Sequence, residues 1–206
     1  ELIENISEII SPEDDFEIPK HTFETVFIDE DAGQKRKKAG NIEIHPMSRF
    51  TINHRAEALN QNKFEAVLRL CLENKKTIVV CRFIEQMDEL EKYLRAKGIL
   101  SLKIWGGNTA RQATVDTAER VDEVVVIIQN DTVQGYELPS FRTMVFVSQS
   151  YSAYAHTQVI GRNDRVNALA KNTYIYLLAG EADKAVYDSI QKNQDFDPIL
   201  YYKNHD

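Results

Sequence analysis

An arginine pair beside a glycine is the sharpest chemical pattern in the sequence. The pattern Q-x-x-G-R-x-x-R is formed by Gln158, Gly161, Arg162 and Arg165. Positions 158, 162 and 165 share one face of a helix or of a tight helix end. Two guanidinium groups on that face can clamp the oxygens of a transferring phosphoryl group, because arginine is planar and permanently charged. The alternative is two surface arginines that pair with Asp164 or with nearby carboxylates.

Polar residues also follow several short apolar segments of the chain. They are Arg82, which Phe83 follows, then Asn108, Thr109 and Arg111, then Gln129 and Asn130, and finally Ser148, Gln149 and Ser150. Amide, hydroxyl and guanidinium groups bind phosphates, as do main-chain N–H groups. If the apolar segments are parallel strands, these residues collect at the sheet edge where the working loops of such folds lie. We therefore predict a polar, anion-binding rim at that edge.

The elements that must position these residues alternate between strands and helices. Strands are predicted over 22–28, 77–81, 100–105, 123–128, 142–147 and 173–178. Helices are predicted over 63–72, from Met87 to near Gly98, and over 109–118, 154–160 and 182–190. This alternation is typical of an α/β fold with a mostly parallel sheet and helices on both faces. The first strand is predicted near a sheet edge, and residues 39–53 are predicted as a connection.

Length and hydropathy narrow the class of protein. The 206 residues suit one domain, or one domain with an appendage. No apolar run approaches the roughly 20 residues of a membrane span, and the first residues are acidic where a signal peptide would be basic. We therefore expect a cytoplasmic protein. Because the chain begins with Glu1, we also expect it to be a piece of a longer one.

Charge, cysteines and single aromatic residues add weaker expectations. The net charge of −7 weighs mildly against nucleic-acid binding, although a protein that holds nucleic acid in a narrow cleft can keep an acidic surface. Cys71 and Cys81 form no metal pattern with the histidines, so we expect buried free thiols and no metal site. His156 is expected on a helix surface and not in a cleft, and Trp105 is expected to anchor packing.

Taken in order, the motifs resemble the second RecA-like motor domain of superfamily-two helicases. The resemblance rests on Arg82-Phe83, Trp105-Gly106-Gly107-x-Thr109-x-Arg111, Gln134-Gly135-x-Glu137-Leu138 and the arginine pattern at 158–165. Within that superfamily the chain is most similar to Swi/Snf-type translocases, particularly the small ones that bacteriophages carry. It implies a three-layer RecA-like fold of the P-loop NTPase type over residues 56–206. Residues 1–55 would then be an N-terminal extension or linker from a first motor domain.

The resemblance implies a role for each of these residues. Arg162 and Arg165 would be catalytic, reaching across a cleft to the triphosphate bound on the first domain. The other residues of the ATP cleft would be Gln158, Gly161, Gly135 and Glu137, the last two in a loop that couples ATP to the nucleic-acid track. The residues expected near the phosphodiester backbone are Arg82, Phe83, Asn108, Thr109, Arg111, Gln129 and Asn130.

Two departures from the family pattern refine this interpretation. Gln129 stands where these helicases usually carry Thr or Ser, and its amide can still donate to a phosphate oxygen. Val166-Asn167 stand where chromatin remodellers often have Gly-Gln, which points to a simpler phage or bacterial motor. The sequence has neither a G-x-x-x-x-G-K-[ST] phosphate loop nor an Asp-Glu-x-His magnesium box, and both belong to the first domain. This chain is therefore expected neither to bind ATP tightly nor to hydrolyse it.

The resemblance thus predicts half of an ATP-dependent DNA helicase or translocase. ATP and Mg²⁺ are expected with the full-length protein only. The expected partners are DNA, in duplex form, and the first motor domain of the same polypeptide, in the cytoplasm of a bacterium or a phage-infected cell. Two alternatives stay open, namely the corresponding half of an RNA helicase and a non-catalytic α/β binding module. The strand at 22–28 and the loop at Gln129 favour DNA.

Overall fold

Six strands and their flanking helices make up the described part of the computed structural model, which comprises residues 21–29, 45–107, 109–130, 137–163 and 171–205. The strands are β1 (Thr22–Phe27), β2 (Lys76–Cys81), β3 (Ser101–Ile104), β4 (Val124–Gln129), β5 (Thr143–Phe146) and β6 (Thr173–Leu178). The helices are α1 (Pro46–Ala58), α2 (Gln61–Glu73), α3 (Ile84–Ala96), α4 (Arg111–Arg120), α5 (Ala153–Asn163), α6 (Glu181–Gln191) and α7 (Pro198–His205). The predicted α/β class is confirmed.

The strands form one sheet in the order β1-β6-β5-β2-β4-β3, and every described pair is parallel. Parallel neighbours need crossover connections, which place helices over the faces of the sheet. The prediction of an edge strand at 22–28 is confirmed, since β1 pairs with β6 alone, from Thr22 opposite Thr173 to Phe27 opposite Leu178. The carboxyl ends of all six strands consequently lie at the same edge.

Alternate residues of the central strands enter two different cores. In β2, Ile78 and Val80 pack with α4 and α5 on one face of the sheet. Val79 and Cys81 pack with α2 and α3 on the other face. All four side chains are completely buried. A strand covered on both faces reads as a continuous apolar run, which is why these strands were visible in the sequence.

Helix α3 ends at the glycine that the sequence predicts as its stop. Gly98 has a φ of +79°, a left-handed conformation that glycine adopts without strain. The Gly98 N–H donates to the Arg95 carbonyl and the Ile99 N–H donates to the Leu94 carbonyl, each at 3.0 Å. These two bonds satisfy carbonyls that the end of the helix leaves open, and they turn the chain towards β3.

The predicted connection over 39–53 is wrong from Pro46 onward, because helix α1 begins there. His45 Nδ1 accepts the Met47 N–H at 3.3 Å and caps the helix. The buried face consists of Phe50, His54 and Ala58, and it packs against α6 and α7. With one large apolar residue on that face, the helical periodicity is weak in the sequence. The boundary predicted between residues 55 and 56 falls inside this helix.

A third, smaller core joins α1, α6 and α7. It contains Phe50, Val186, Ile190 and Tyr202, with Tyr201 packed against it. This core packs α7, the last described helix, against α1. Within the described ranges, no helix is long and apolar enough to cross a membrane.

Candidate functional site

The carboxyl ends of β2, β4 and β5 are held together by hydrogen bonds beyond the strand ladders. The Asn130 N–H donates to the Cys81 carbonyl at 2.8 Å, which joins the end of β4 to β2. The Arg82 N–H donates to Ser148 Oγ at 2.8 Å, which joins the end of β2 to β5. The polar residues predicted after these three strands therefore lie at one edge of the sheet.

The segment after β3 joins this edge through Gly106. The Gly106 N–H donates to Gln129 Oε1 at 3.4 Å, and its carbonyl accepts from Arg111 Nη2 at 2.8 Å. Gln129 and Arg111 are half-buried, and Thr109 is exposed. The structure thus groups three residues that were predicted near a phosphodiester backbone around a single turn. Asn108, predicted with them, lies outside the described residues.

Asn130 is placed differently from its neighbour Gln129. The Asn130 side chain is completely buried, and neither of its amide atoms has a hydrogen-bond partner within the described ranges. Gln149, after β5, is also buried, and its Oε1 lacks a partner in the same part of the chain. Neither amide is presented to solvent in this conformation. The predicted contact between Asn130 and a nucleic acid stays a prediction.

Arg82 and Phe83 form the turn from β2 into α3. The guanidinium carbon of Arg82 lies 3.7 Å from the centroid of the Tyr151 ring, a cation–π contact. Phe83 packs edge-on against His54, with ring centroids 5.4 Å apart. Both residues are half-buried. They lie at the predicted edge, and their contact with nucleic acid stays a prediction.

Behind the edge lies a buried cluster of charged groups that the sequence analysis missed. Lys63 Nζ lies 2.6 Å from Asp183 Oδ2 and donates to the Val147 carbonyl at 2.6 Å. Asp183 also accepts the Ala179 N–H at 2.9 Å, and its Oδ1 lies 3.3 Å from His54 Nε2. Lys63 and His54 are completely buried, and Asp183 is 2 % exposed.

Burial and the contacts within the cluster determine the charge states of Asp183 and His54. Burial opposes ionisation of Asp183, but the Lys63 ammonium and the neighbouring His54 ring hold the pKa of that carboxyl below its usual value. Burial lowers the pKa of His54 against the opposing influence of Asp183, so the imidazole is neutral near pH 7. The buried charges are thus one cation and one anion in direct contact, the arrangement in which a buried ion pair is tolerated.

A second carboxylate, Glu57 of α1, binds the first turn of α6. Glu57 Oε1 accepts the Ala182 N–H at 3.2 Å and Oε2 accepts the Asp183 N–H at 2.7 Å. A Cβ at Gly180 would come within 2.4 Å of Glu57 Cδ, so this approach depends on a glycine. Burial, followed by the charge of Asp183, raises the pKa of Glu57 to about 7. The contact fastens α1 to the helix that carries Asp183.

The sequence does contain a signal for the buried cluster. Lys63 lies beside Phe64 and Val67 on the buried face of α2. Asp183 lies beside Ala182 on the buried face of α6. Charged residues are rarely fully buried unless they are paired, so each position predicts a partner of opposite charge. Spacing alone does not show that the two residues are each other's partners, because they are far apart in the chain.

Helix α5 carries the first part of the arginine pattern. Gln158 and Arg162 are one helical turn apart and both are half-buried. Gly161 is exposed, and apart from its own helix no atom of the described residues lies within 4 Å of the place its Cβ would occupy. The predicted common helical face is therefore confirmed for positions 158 and 162. Arg165 lies outside the described residues.

The expectation that His156 lies on the helix surface is wrong. Its side chain is 5 % exposed, and Nε2 lies 3.1 Å from the Tyr176 hydroxyl. Its Nδ1 has no partner within the described ranges. Burial lowers the pKa of His156 to about 4, so the ring is neutral near pH 7. His156 and Val159 face the sheet together, which anchors α5 on β6 and leaves the other side of the helix outward.

The remaining expectations concern single residues. Glu137 is exposed directly before the buried Leu138, and Gly135 lies outside the described residues. Cys71 and Cys81 are buried free thiols, as predicted, and burial raises the pKa of both. Trp105 packs against the core formed with α2 and α3, as predicted. In the described part of the chain, no group of three or more His, Cys, Asp or Glu residues is arranged to hold a metal ion.

Comparison with known proteins identifies the fold. No family model and no curated protein matches the sequence. The C-terminal part of the Fun30 ATPase domain is similar in structure, with a TM-score of 0.56 and 18 % identity over 66 % of this chain and 46 % of that one. The E. coli DEAD-box protein SrmB, solved bound to the regulator of ribonuclease activity A, gives 0.53 and 20 %, over 78 % and 79 %. The C-terminal domain of the DEAD-box protein Dbp5 gives 0.53 and 18 %, over 65 % and 78 %.

The chain has the RecA-like α/β fold of these ATPase and DEAD-box protein domains. It matches less than half the length of the Fun30 structure. At identities of 18–20 %, the fold is what the chain shares with these proteins.

Proposed function

We propose that this chain is the C-terminal motor half of an ATP-dependent DNA translocase of the Swi/Snf type, and that it works with a first RecA-like domain of the same polypeptide. The observation that carries the proposal is the position of Gln158 and Arg162. They lie one turn apart on α5 of a RecA-like fold, beside an exposed glycine at position 161. This is a surface to which a triphosphate on a facing domain has access.

In this proposal the chain contributes positive charge to the site of ATP hydrolysis, and the first domain binds ATP and Mg²⁺. Arg162 and Arg165 stabilise the charge that develops on the γ-phosphoryl group, a contribution of about 10³–10⁵ in rate for arginine fingers. Gln158 and Gly161 line the same cleft. Gly135 and Glu137 belong to the loop that links the cleft to the nucleic-acid track, and the exposed position of Glu137 suits that role.

The carboxyl edge of the sheet supplies the track. Arg82, Gln129, Arg111 and Thr109 lie at that edge and offer guanidinium, amide and hydroxyl donors to phosphate oxygens. The overall charge of −7 is compatible with such a local track, because the contacts involve only one edge of the molecule. Duplex DNA is the proposed substrate. RNA is the alternative, because both branches of the superfamily share this architecture.

The test is ATP hydrolysis by the complete polypeptide that contains this chain. We expect Arg162→Ala and Arg165→Ala each to lower DNA-stimulated hydrolysis by about a thousandfold or more. Arg120→Ala removes an exposed arginine from the end of α4 and serves as the matched control, with hydrolysis unchanged. Normal hydrolysis in both cleft variants would overturn the motor proposal.

Two further outcomes separate the alternatives. Stimulation of hydrolysis by RNA but not by duplex DNA would replace the DNA translocase with an RNA helicase. A complete polypeptide that hydrolyses no ATP with either nucleic acid would favour a non-catalytic α/β binding module. Circular dichroism of each variant shows whether a loss of activity reflects a loss of the fold.

A further inference from the structure

Arg82 is connected to the buried cluster through Tyr151. The guanidinium carbon lies 3.7 Å from the centre of the Tyr151 ring. Tyr151 follows the end of β5, so it approaches Arg82 from the neighbouring strand of the sheet. Stacking on an aromatic ring restricts the rotation of the guanidinium group, which is otherwise a freely rotating side chain.

Tyr151 is itself fixed from behind by His54. The Tyr151 hydroxyl lies 3.2 Å from His54 Nδ1, and the two rings are stacked with centroids 5.5 Å apart and planes inclined by 24°. His54 is completely buried, whereas Tyr151 and Arg82 are half-buried. The three side chains therefore run from the interior of the molecule to the carboxyl edge of the sheet.

The direction of these hydrogen bonds follows from the charge states. The Asp183 carboxylate lies 3.3 Å from His54 Nε2, and its negative charge favours the tautomer of the neutral ring that carries its proton on Nε2. The Nδ1 of His54 is then an acceptor, and the Tyr151 hydroxyl donates to it. Arg82 therefore stacks on a ring whose hydroxyl donates to His54, and His54 in turn lies against the Asp183–Lys63 ion pair.

We propose that Tyr151 and His54 are positioning residues that hold the Arg82 guanidinium in a fixed orientation for contact with a phosphate of the nucleic-acid track. The proposal depends on the proposed function for the identity of the ligand, a phosphate of the nucleic-acid track. The fixed orientation of Arg82 does not depend on the proposed function. An arginine that is ordered before binding loses less side-chain entropy when it meets a phosphate. In this proposal the buried Lys63–Asp183 ion pair behind the end of β2 also has a role, because it fixes the position of His54.

The orientation is tested first in the free chain by ¹H–¹⁵N NMR. We expect the Nε–H signal of Arg82, assigned by its absence in Arg82→Lys, to be displaced by the Tyr151 ring current. Tyr151→Leu should return it to the position of a mobile arginine, and Tyr151→Phe, which keeps the ring but loses the hydroxyl, should return it part of the way. Tyr154→Leu changes an exposed tyrosine of α5 and is the control. An Arg82 signal that is the same in Tyr151→Leu and in the unchanged chain would overturn the proposal.

The consequence for binding is tested with a short fluorescein-labelled DNA duplex and a double-mutant cycle. Arg82→Ala should weaken binding on the order of tenfold, the equivalent of one charged hydrogen bond. Tyr151→Leu should weaken binding by a smaller factor, and it should have no effect when Arg82 is already alanine. A merely structural role for Tyr151 would lower the affinity equally in both backgrounds and would overturn the positioning role.

The double-mutant cycle distinguishes a failure of the positioning role from a failure of the proposed function. Unchanged affinity in Arg82→Ala would remove Arg82 from the track and contradict that part of the proposed function. Weaker binding by Arg82→Ala together with unchanged binding by Tyr151→Leu would overturn only the positioning role. His54→Gln, which can still donate to Asp183 and accept from Tyr151, should restore most of the affinity that His54→Leu loses.

Discussion

Replacing Lys63 with methionine would leave the Asp183 carboxylate buried without its cation. Methionine is close to the lysine stem in length, so the packing on α2 is largely kept and the change is one of charge. The ion pair is short, at 2.6 Å, and its side chains are 0 % and 2 % exposed. Removing one partner of such a pair costs about 3–5 kcal/mol of unfolding free energy. That is a large part of the roughly 5–15 kcal/mol by which domains are stable.

Urea unfolding measured by tryptophan fluorescence is the assay, since Trp105 is the single tryptophan and packs against the core. With a urea dependence of about 2–3 kcal/mol/M, the midpoint should fall by about 1–2.5 M. The control is Lys75→Met. Lys75 pairs with Glu123 at 3.7 Å, but their side chains are 76 % and 72 % exposed, so the midpoint should hardly move.

The pH dependence makes the prediction sharper. In the unchanged protein the pKa of Asp183 is lowered, so its stabilising contribution is present above the ordinary carboxyl pKa and is lost as the pH falls through the folded value. Without Lys63, burial dominates and Asp183 takes up a proton more readily. The loss of unfolding free energy caused by Lys63→Met should therefore become smaller as the pH is lowered from 8 towards about 5. A midpoint shift no larger than that of Lys75→Met would refute the reasoning.

Two further predictions concern groups whose pKa values move in opposite directions. Glu57 has a pKa raised to about 7, so its contribution to stability is present below the unfolded value and is lost as the pH rises through 7. Glu57→Gln should remove about 1–2 kcal/mol of this pH dependence between pH 5 and 8 in urea unfolding, and an equally steep profile in the variant would contradict it. His156 has a pKa lowered to about 4, so its contribution is present above about 6.5 and is lost as the pH falls towards 4. His156→Gln should reduce the loss of stability from pH 7.5 to 5.5 by about 1 kcal/mol in thermal melts. No difference between the two proteins over that range would count against a buried neutral histidine.

The elements that were predicted well are those whose signal is local. The run of apolar residues in β4 and the glycine after α3 each reveal their structure within a few neighbouring positions. Helix α1 was missed because its buried face carries one large apolar residue and a histidine. His156 was misplaced for a related reason. The sequence alone does not show whether a histidine on a helix faces the core or the solvent. That depends on the element against which the helix packs, here β6 with Tyr176.

The residues of the candidate site also divide into those that local spacing predicts and those that it does not. The spacing of Gln158 and Arg162 predicted a common helical face, since four positions make about one turn of a helix. The strand-end positions of Arg82 and Gln129 predicted a shared edge, since parallel strands end together. The burial of Asn130 next to the half-buried Gln129 was not predictable, because it depends on what the neighbouring strand ends cover.

By itself the sequence determined the periodicity of each element, the α/β class and the residues that follow the strands, because these depend on spacing along the chain. Only the tertiary structure decided that Lys63, Asp183 and His54 meet behind Arg82. Burial of a charge is costly without a partner, but many partners are possible in a chain of this length. The physical reason is that pairing across the fold depends on strand order and helix packing, which bring together residues that the sequence keeps far apart.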